Sequence, residues 1–173
     1  LNRWRVLAQA VRMIREQLPA EHPRAGTINI NTNAWHTKGL AALIDAGLGR
    51  IRVSTFSAVE ANYTAYYQPR GYTAADVRRS IRLGADAGLP VALNLLTFPG
   101  YTDTEGEVEA LVEMIRSEGV REVQVRTLNI DREMLAAAVP APRGRELGVP
   151  ALIAALRETG VRVATHAWMP EPE

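Results

Sequence analysis

Apolar residues recur along the chain with two different periods. Spacings of three and four mark helices at Leu40, Leu43 and Ile44, at Val77, Ile81, Leu83 and Ala85, at Val108, Leu111, Val112 and Ile115, and at Leu152, Ile153 and Leu156. A further helix is predicted from Arg3 to Leu18, ahead of "TININ". Between the helices lie short alternating segments. One phase of these is apolar, with Ile28 and Ile30, Ile51 and Val53, Val123 and Val125, Val161 and Val163. The other phase is polar, with Asn29, Asn31 and Asn33, Arg50, Arg52 and Ser54, Gln124 and Arg126, Arg162 and His166. Period two is the mark of a strand whose faces meet different surroundings. Only "VALNLLT" is mostly apolar, with Asn94 the exception.

The joints between elements repeat. "DAGLGRIRVS", "DAGLPVALNL", "SEGVREVQVR" and "ETGVRVATHA" each place a glycine, then Leu or Val, then a strand. Gly47, Gly88, Gly119 and Gly160 stand where a helix stops, since glycine takes the left-handed conformation needed just past a helix end. Thr104 and Glu107 have the spacing of a capping box, and Pro150 suits the first turn of the last helix. Strands alternating with helices imply parallel strands and right-handed crossovers, in an open doubly wound sheet or a curved barrel segment.

The polar phase separates these two. Strands buried on both faces read as continuous apolar runs. Here a polar face would cost about 1–3 kcal/mol for every buried group left without a partner. The fold class expected is therefore α/β, a partial (β/α) barrel of parallel strands whose lumen is wet or holds a polar ligand. Side chains that satisfy one another, or strands at an exposed edge, are the alternatives. Chemistry in such folds gathers at the carboxyl ends of the strands, here Asn33, Ser54, Asn94 with Thr97, Arg126 with Asn129, and His166. The tyrosine-rich segment "YTAYYQPRGYT" follows one of these ends; Tyr63, Tyr66 and Tyr67 either bury a helix under the rim or meet a ligand.

Composition narrows the chemistry. At 173 residues the chain is short for a full eight-unit barrel, which needs about 250. Nineteen arginines face a single lysine, Lys38, and the net charge is +1, with no basic stripe for nucleic acid. No apolar run is long enough to cross a membrane and no signal segment opens the chain, so a cytoplasmic protein is expected. Zero cysteines exclude disulfides, thiolate zinc and any iron–sulfur cluster held by cysteines of this chain. Reading the polar phase without an Asp or Glu argues against paired-carboxylate glycosidases and acidic metal sites. Lys38 begins a helix, which argues against a barrel Schiff base, and no GxSxG elbow is present. His22 and His36 suit surface or packing roles, and no metal is expected to be held by this chain.

Taken in order, "NTNAW", "RIRVSTFSA", "YYQPRGYT", "LNLLTFPGYTDTEGEVE" and "VQVRTLNID" resemble the radical S-adenosylmethionine (radical SAM) enzymes over about residues 3 to 135. The resemblance implies a three-quarter barrel of six strand–helix units in which S-adenosylmethionine is cleaved reductively by a [4Fe-4S] cluster. The 5′-deoxyadenosyl radical so formed acts on a small-molecule or peptide substrate, with flavodoxin or ferredoxin as electron donor. The CxxxCxxC loop and the Gly-Glu-rich segment of the family are both missing. On this comparison the chain is the C-terminal part of the core, "TININ" is the family's third strand, and the chain alone is inactive; the start at Leu1 fits upstream sequence.

The resemblance also implies roles. Asn33 and Ser54 match positions that meet the methionine or ribose part of the cofactor, with Arg52 near its carboxylate. Asn94 and Thr97 of the "TFPG" region fall near ribose and adenine, and Arg126, Leu128 and Asn129 on the adenine side. Tyr66, Tyr67, Arg70 and Tyr72 face the substrate end of the barrel, and His166, from its place at a strand end alone, is a candidate substrate contact. The expected layout is barrel over residues 1–139, a Pro/Gly linker over 140–150, a final helix and strand over 151–168 and a disordered tail over 169–173. Two competing readings are a non-catalytic degenerate barrel that binds a small molecule or protein, and a phosphate-binding barrel enzyme. The second wants a glycine-rich phosphate loop that this chain lacks.

Overall fold

A computed structural model describes residues 2–18, 21 and 26–164 of the chain. Its elements are α1 (Trp4–Gln17), β1 (Asn29–Thr32), α2 (Thr37–Asp45), β2 (Arg50–Thr55), α3 (Glu60–Tyr67), α4 (Ala74–Asp86), β3 (Val91–Thr97), α5 (Glu105–Glu118), β4 (Glu122–Thr127), α6 (Arg132–Ala138), α7 (Val149–Glu158) and β5 (Arg162–Ala164). The five strands pair in sequence order, all parallel, as β1-β2-β3-β4-β5. Neighbouring strands that follow one another in the chain, each crossover in the helix layer, are the layout of an α/β barrel segment.

The apolar phase of the strands and the apolar stripes of the helices form one core. Ile51, Val53, Leu93 and Val123 are fully buried there against Leu40, Leu43, Ile81, Leu111, Leu152 and Leu156. At about 25 cal/mol per Å² of apolar area, each such side chain contributes about 2 kcal/mol to holding helix on sheet. Gly84 brings α4 close to β2, since a Cβ there would lie 2.5 Å from Ile51 Cδ1. The four joint glycines all take positive φ, from 71° at Gly119 to 101° at Gly47, so the left-handed turn read from sequence ends each of those helices.

Three local readings change. The tyrosine segment contains a helix of its own, α3, and "DREMLAAA" folds into α6, begun by the Asp131 carboxylate, which accepts from the N–H groups of Glu133 and Met134. Thr104 makes no side-chain cap at α5: its hydroxyl donates to Tyr101 O, and Glu107 bonds to Ser57 and Asn62 instead; the capping box forms at α4, between Thr73 and Asp76. Finally, β4 begins at Glu122, two residues before Gln124, so a carboxylate does stand on the polar face. The 140–150 stretch is tied down in part, with Glu146 bridging to Thr104 and the Leu147 N–H donating to Asp103 O.

Candidate functional site

Register fixes which polar residues are neighbours. Arg52 lies beside Ala92 and Ala92 beside Glu122; one pleat further on, Ser54 lies beside Asn94 and Asn94 beside Gln124. These two rows cross the three central strands. Ala92 has almost no side chain, and the Arg50 guanidinium of β2 reaches across its strand to the Glu122 carboxylate of β4, Nη2 to Oε2 at 2.8 Å. That ion pair is nearly buried, with side chains 12% and 9% exposed. Glu122 is thus a structural partner of Arg50, and no second carboxylate joins it among the described residues of this face.

The centre of the polar face is buried yet unsatisfied. Gln124 is 1% exposed, and neither its amide oxygen nor its amide nitrogen has a hydrogen-bond partner. Asn94 Oδ1, Glu122 Oε1 and Arg52 Nε are in the same condition. Buried polar groups are almost always paired in folded proteins, so four side chains in two adjacent rows mark a place shaped for a guest or for water. Next to them opens a cleft of about 440 Å³ lined by Asn94, Leu96, Val125, Arg126 and Thr127. The outer strands differ: Asn29 and Asn31 of β1 are exposed and bond to each other, Nδ2 to Oδ1 at 3.3 Å.

Above the carboxyl ends of the strands sits a second, smaller apolar cluster. Phe56 after β2 and Leu135 and Val139 at α6 are its buried members, packed by Leu96, Phe98, Tyr101, Leu128 and Ile130. Tyr66 stacks on Phe56 with centroids 4.4 Å apart, and Tyr67 meets the edge of Tyr66 at 4.8 Å. Burial pushes the phenols of Tyr63, Tyr66 and Tyr67 up from their ordinary value, so all three stay protonated. Tyr66 and Tyr67 thus belong to the roof over the strand ends, and Tyr63 to the main core.

The predicted residues divide accordingly. Arg52, Ser54 and Asn94 meet on the polar face, and Arg126 lines the cleft while remaining exposed. Asn33 is half-buried in the turn after β1, where Ala34 holds a φ of 55° and its N–H donates to Thr32 Oγ1. Thr97 belongs to the other phase: it is buried, and its hydroxyl donates to Leu95 O. Leu128 packs in the upper cluster, its N–H donating to Thr97 O, and Asn129 is exposed. Tyr66 and Tyr67 join that cluster, Tyr72 packs on Trp35 with centroids 5.6 Å apart, and Arg70 is exposed. His166 and His22 lie outside the described residues.

Three important residues carry no role in the sequence reading. Gln124 is on the predicted polar phase but stands three residues before the end of β4 at Thr127; Glu122 follows from the same alternation carried back one more pleat. Glu107, hidden by its capping-box spacing, is buried in the helix layer. The Ser57 hydroxyl lies 2.7 and 2.8 Å from its two oxygens, and Asn62 Nδ2 donates to one of them. Burial nevertheless raises its pKa, the hydrogen bonds from Asn62, Ser57 and the backbone of Ala58 and Val59 pulling the other way.

No protein-family model and no curated protein match the chain. Solved structures do. A domain of pyruvate-formate lyase-activating enzyme from Bacteroides vulgatus superposes with a TM-score of 0.66 at 11% identity, over 93% of this chain and 89% of that one. A radical SAM methyltransferase from Sphaerobacter thermophilus matches at TM-score 0.56 and 17% identity, over 85% of this chain and 43% of its own. Streptococcus suis SuiB bound to S-adenosylmethionine matches at 0.50 and 12%, over 84% and 35%. The chain therefore spans less than half the length of the last two. Sequential parallel strands, crossovers in one helix layer and these superpositions together establish the fold as a partial α/β barrel, with radical SAM enzymes among its structural neighbours.

Proposed function

We propose that the polar face and its cleft bind S-adenosylmethionine, as part of a radical SAM enzyme whose cluster is held by residues other than these. The observation that carries the proposal is the set of buried, unpartnered polar atoms on β2, β3 and β4 beside a cleft of about 440 Å³. A concave recess with a few fixed polar groups is the usual form of a small-molecule site. Support for the identity of the ligand comes from the likeness to SuiB bound to S-adenosylmethionine and to a radical SAM methyltransferase.

A [4Fe-4S] cluster does not fit this chain: it has no cysteine, and among the described residues no three His, Cys, Asp or Glu gather as ligands. S-adenosylmethionine does fit. On this reading Asn33 and Ser54 meet its methionine or ribose part, and Asn94 the ribose. Arg126, Leu128 and Asn129 would fall on its adenine side, and Arg52 would supply charge for its carboxylate. Thr97, turned into the core, places the following turn. When bound beside a reduced cluster the cofactor supplies a carbon radical. The chain's own part is to orient it, while the apolar cluster of Phe56, Tyr66, Leu135 and Val139 keeps water from the strand ends. Tyr66, Tyr67, Tyr72 and Arg70 lie toward a small-molecule or peptide substrate, and an electron donor of the flavodoxin or ferredoxin kind serves the complete enzyme in the cytoplasm. Without the cluster, this chain alone is inactive.

Titration calorimetry of the chain with 5′-methylthioadenosine and S-adenosylhomocysteine tests this. Both are expected to bind, and Asn94→Leu to weaken them about tenfold, the loss of one hydrogen bond in a covered site. Absence of binding by either nucleoside at millimolar concentration overturns the proposal.

A further inference from the structure

The helix α6 is held differently from the others. Its one buried residue, Leu135, and Val139 at its C-cap belong to the small upper cluster and not to the main core, while residues 132–134 and 136–138 are exposed. The chain on either side of it is pinned. Before it, the Leu128 N–H donates to Thr97 O; after it, the N–H groups of Glu105 and Gly106 donate to Arg145 O and Arg143 O, and the Leu147 N–H donates to Asp103 O. A short helix with two apolar anchors between two fixed points is free to rock as a unit. Leu96 packs in the same cluster and also lines the cleft, so that rocking opens or covers the cleft.

Three charged groups meet beside α6 without pairing. Arg132 Nη2 and Glu146 Oε2 lie 3.2 and 3.3 Å from the point where a Cβ on Gly100 would stand. Asp103 accepts the Gly100 N–H through Oδ1 at 2.6 Å, yet its Oδ2 has no hydrogen-bond partner, and Asp103 is 0% exposed. Among the described residues no ion pair joins the three. Arg132 is moreover the first residue of α6, where the helix dipole disfavours a cation. An arginine set against the dipole, beside a buried carboxylate oxygen that lacks a donor, is a latch left open.

We infer that α6 is a lid on the cleft, shut when Arg132 closes on Asp103 Oδ2 and Glu146. The arginine then satisfies the buried oxygen and ties the roof to the turn after β3 and to the 143–147 segment. Because pairing relieves a buried charge, the shut state is populated without ligand. The role of the lid rests on the reading of the cleft as a nucleoside site: a ligand there favours the shut state through the contacts it gains with the lowered roof at Leu96 and Leu128.

Amide hydrogen exchange of the chain, resolved by residue, tests the latch, since exchange in α6 follows its local opening. In the ligand-free protein, Arg132→Gln and Asp103→Asn are each expected to speed exchange over residues 135–139 at least about threefold, the loss of a charge-assisted contact that is made part of the time. The double variant should exchange no faster than the faster single one. Asn keeps the Oδ1 acceptor for the Gly100 N–H; if Asp103→Asn nevertheless speeds exchange in α5, Arg132→Gln alone decides. An idle Arg132 gives the opposite sign, because its removal relieves the dipole and slows exchange. Slower or unchanged exchange in Arg132→Gln, or additive effects in the double variant, overturns the inference. With saturating 5′-methylthioadenosine the wild-type helix is expected to gain further protection, and Arg132→Gln to lose at least about tenfold of it. Binding that leaves α6 exchange unchanged overturns the lid and leaves the nucleoside site standing. Failure of the nucleoside to bind overturns the nucleoside site, and the ligand-free comparison still decides the latch.

Discussion

Glu107 in the helix layer and Gln124 on the polar face are buried to nearly the same depth, at 5% and 1% exposure. Their surroundings differ completely. Glu107 is held by Ser57 and Asn62, and it ties α5 to the loop that starts α3. Gln124 is held by nothing. A carboxyl with partners and an amide without them teach opposite lessons. The first is kept for stability and the second at its expense, which is the pattern expected where a protein reserves groups for a ligand.

The largest effect should come from breaking the satisfied side. Glu107→Leu strands the Asn62 amide in the interior and leaves the Ser57 hydroxyl only its bonds with the Val59 backbone, and should lower unfolding stability by about 3 kcal/mol, read from urea denaturation. Gln124→Leu, by the same measurement, should raise it by about 1 kcal/mol, because two unpaired polar atoms are replaced by apolar surface. Equal losses from both substitutions would erase the contrast.

The smallest effect is in pH. The folded protein raises the Glu107 pKa above its ordinary value of 4.5, chiefly by burial. The folded state thus binds its proton more tightly than the unfolded chain. The stabilisation is fully present below that ordinary value and is lost as pH rises through the raised one. Wild type should therefore lose stability relative to Glu107→Gln as pH rises from the ordinary value of 4.5 through the raised one, as followed by urea midpoints. A constant difference would mean that the carboxyl is not shifted. Asp76 works in the opposite direction: hydrogen bonds from the Thr73 N–H and hydroxyl lower its pKa, so its contribution is lost as pH falls. It is common to both proteins and cancels.

Much of the fold was legible because two periodicities carried it. The joint glycines, the apolar stripes of α2, α4, α5 and α7 and the alternation in β2 and β4 are local patterns with one reading each. The helix α3 was hidden by its tyrosines, whose aromatic bulk says burial without saying helix, and α6 by its shortness. The site was legible only as a phase of residues. Which of them are satisfied depends on partners far along the chain, such as Arg50 and Glu122, 72 residues apart, or Ser57 and Glu107, 50 apart. No local pattern records that Ala92 clears the way for the first pair, nor that Glu107 abandons its own helix for the second.

The strand order carries a final consequence. Among the described residues β1 and β5 do not pair with each other, so this stretch of sheet is an arc and not a closed ring. Arg52, Asn94 and Gln124 stand on its three inner strands, each of which has a neighbour on both sides. The spacing of these side chains is therefore set by the arc itself.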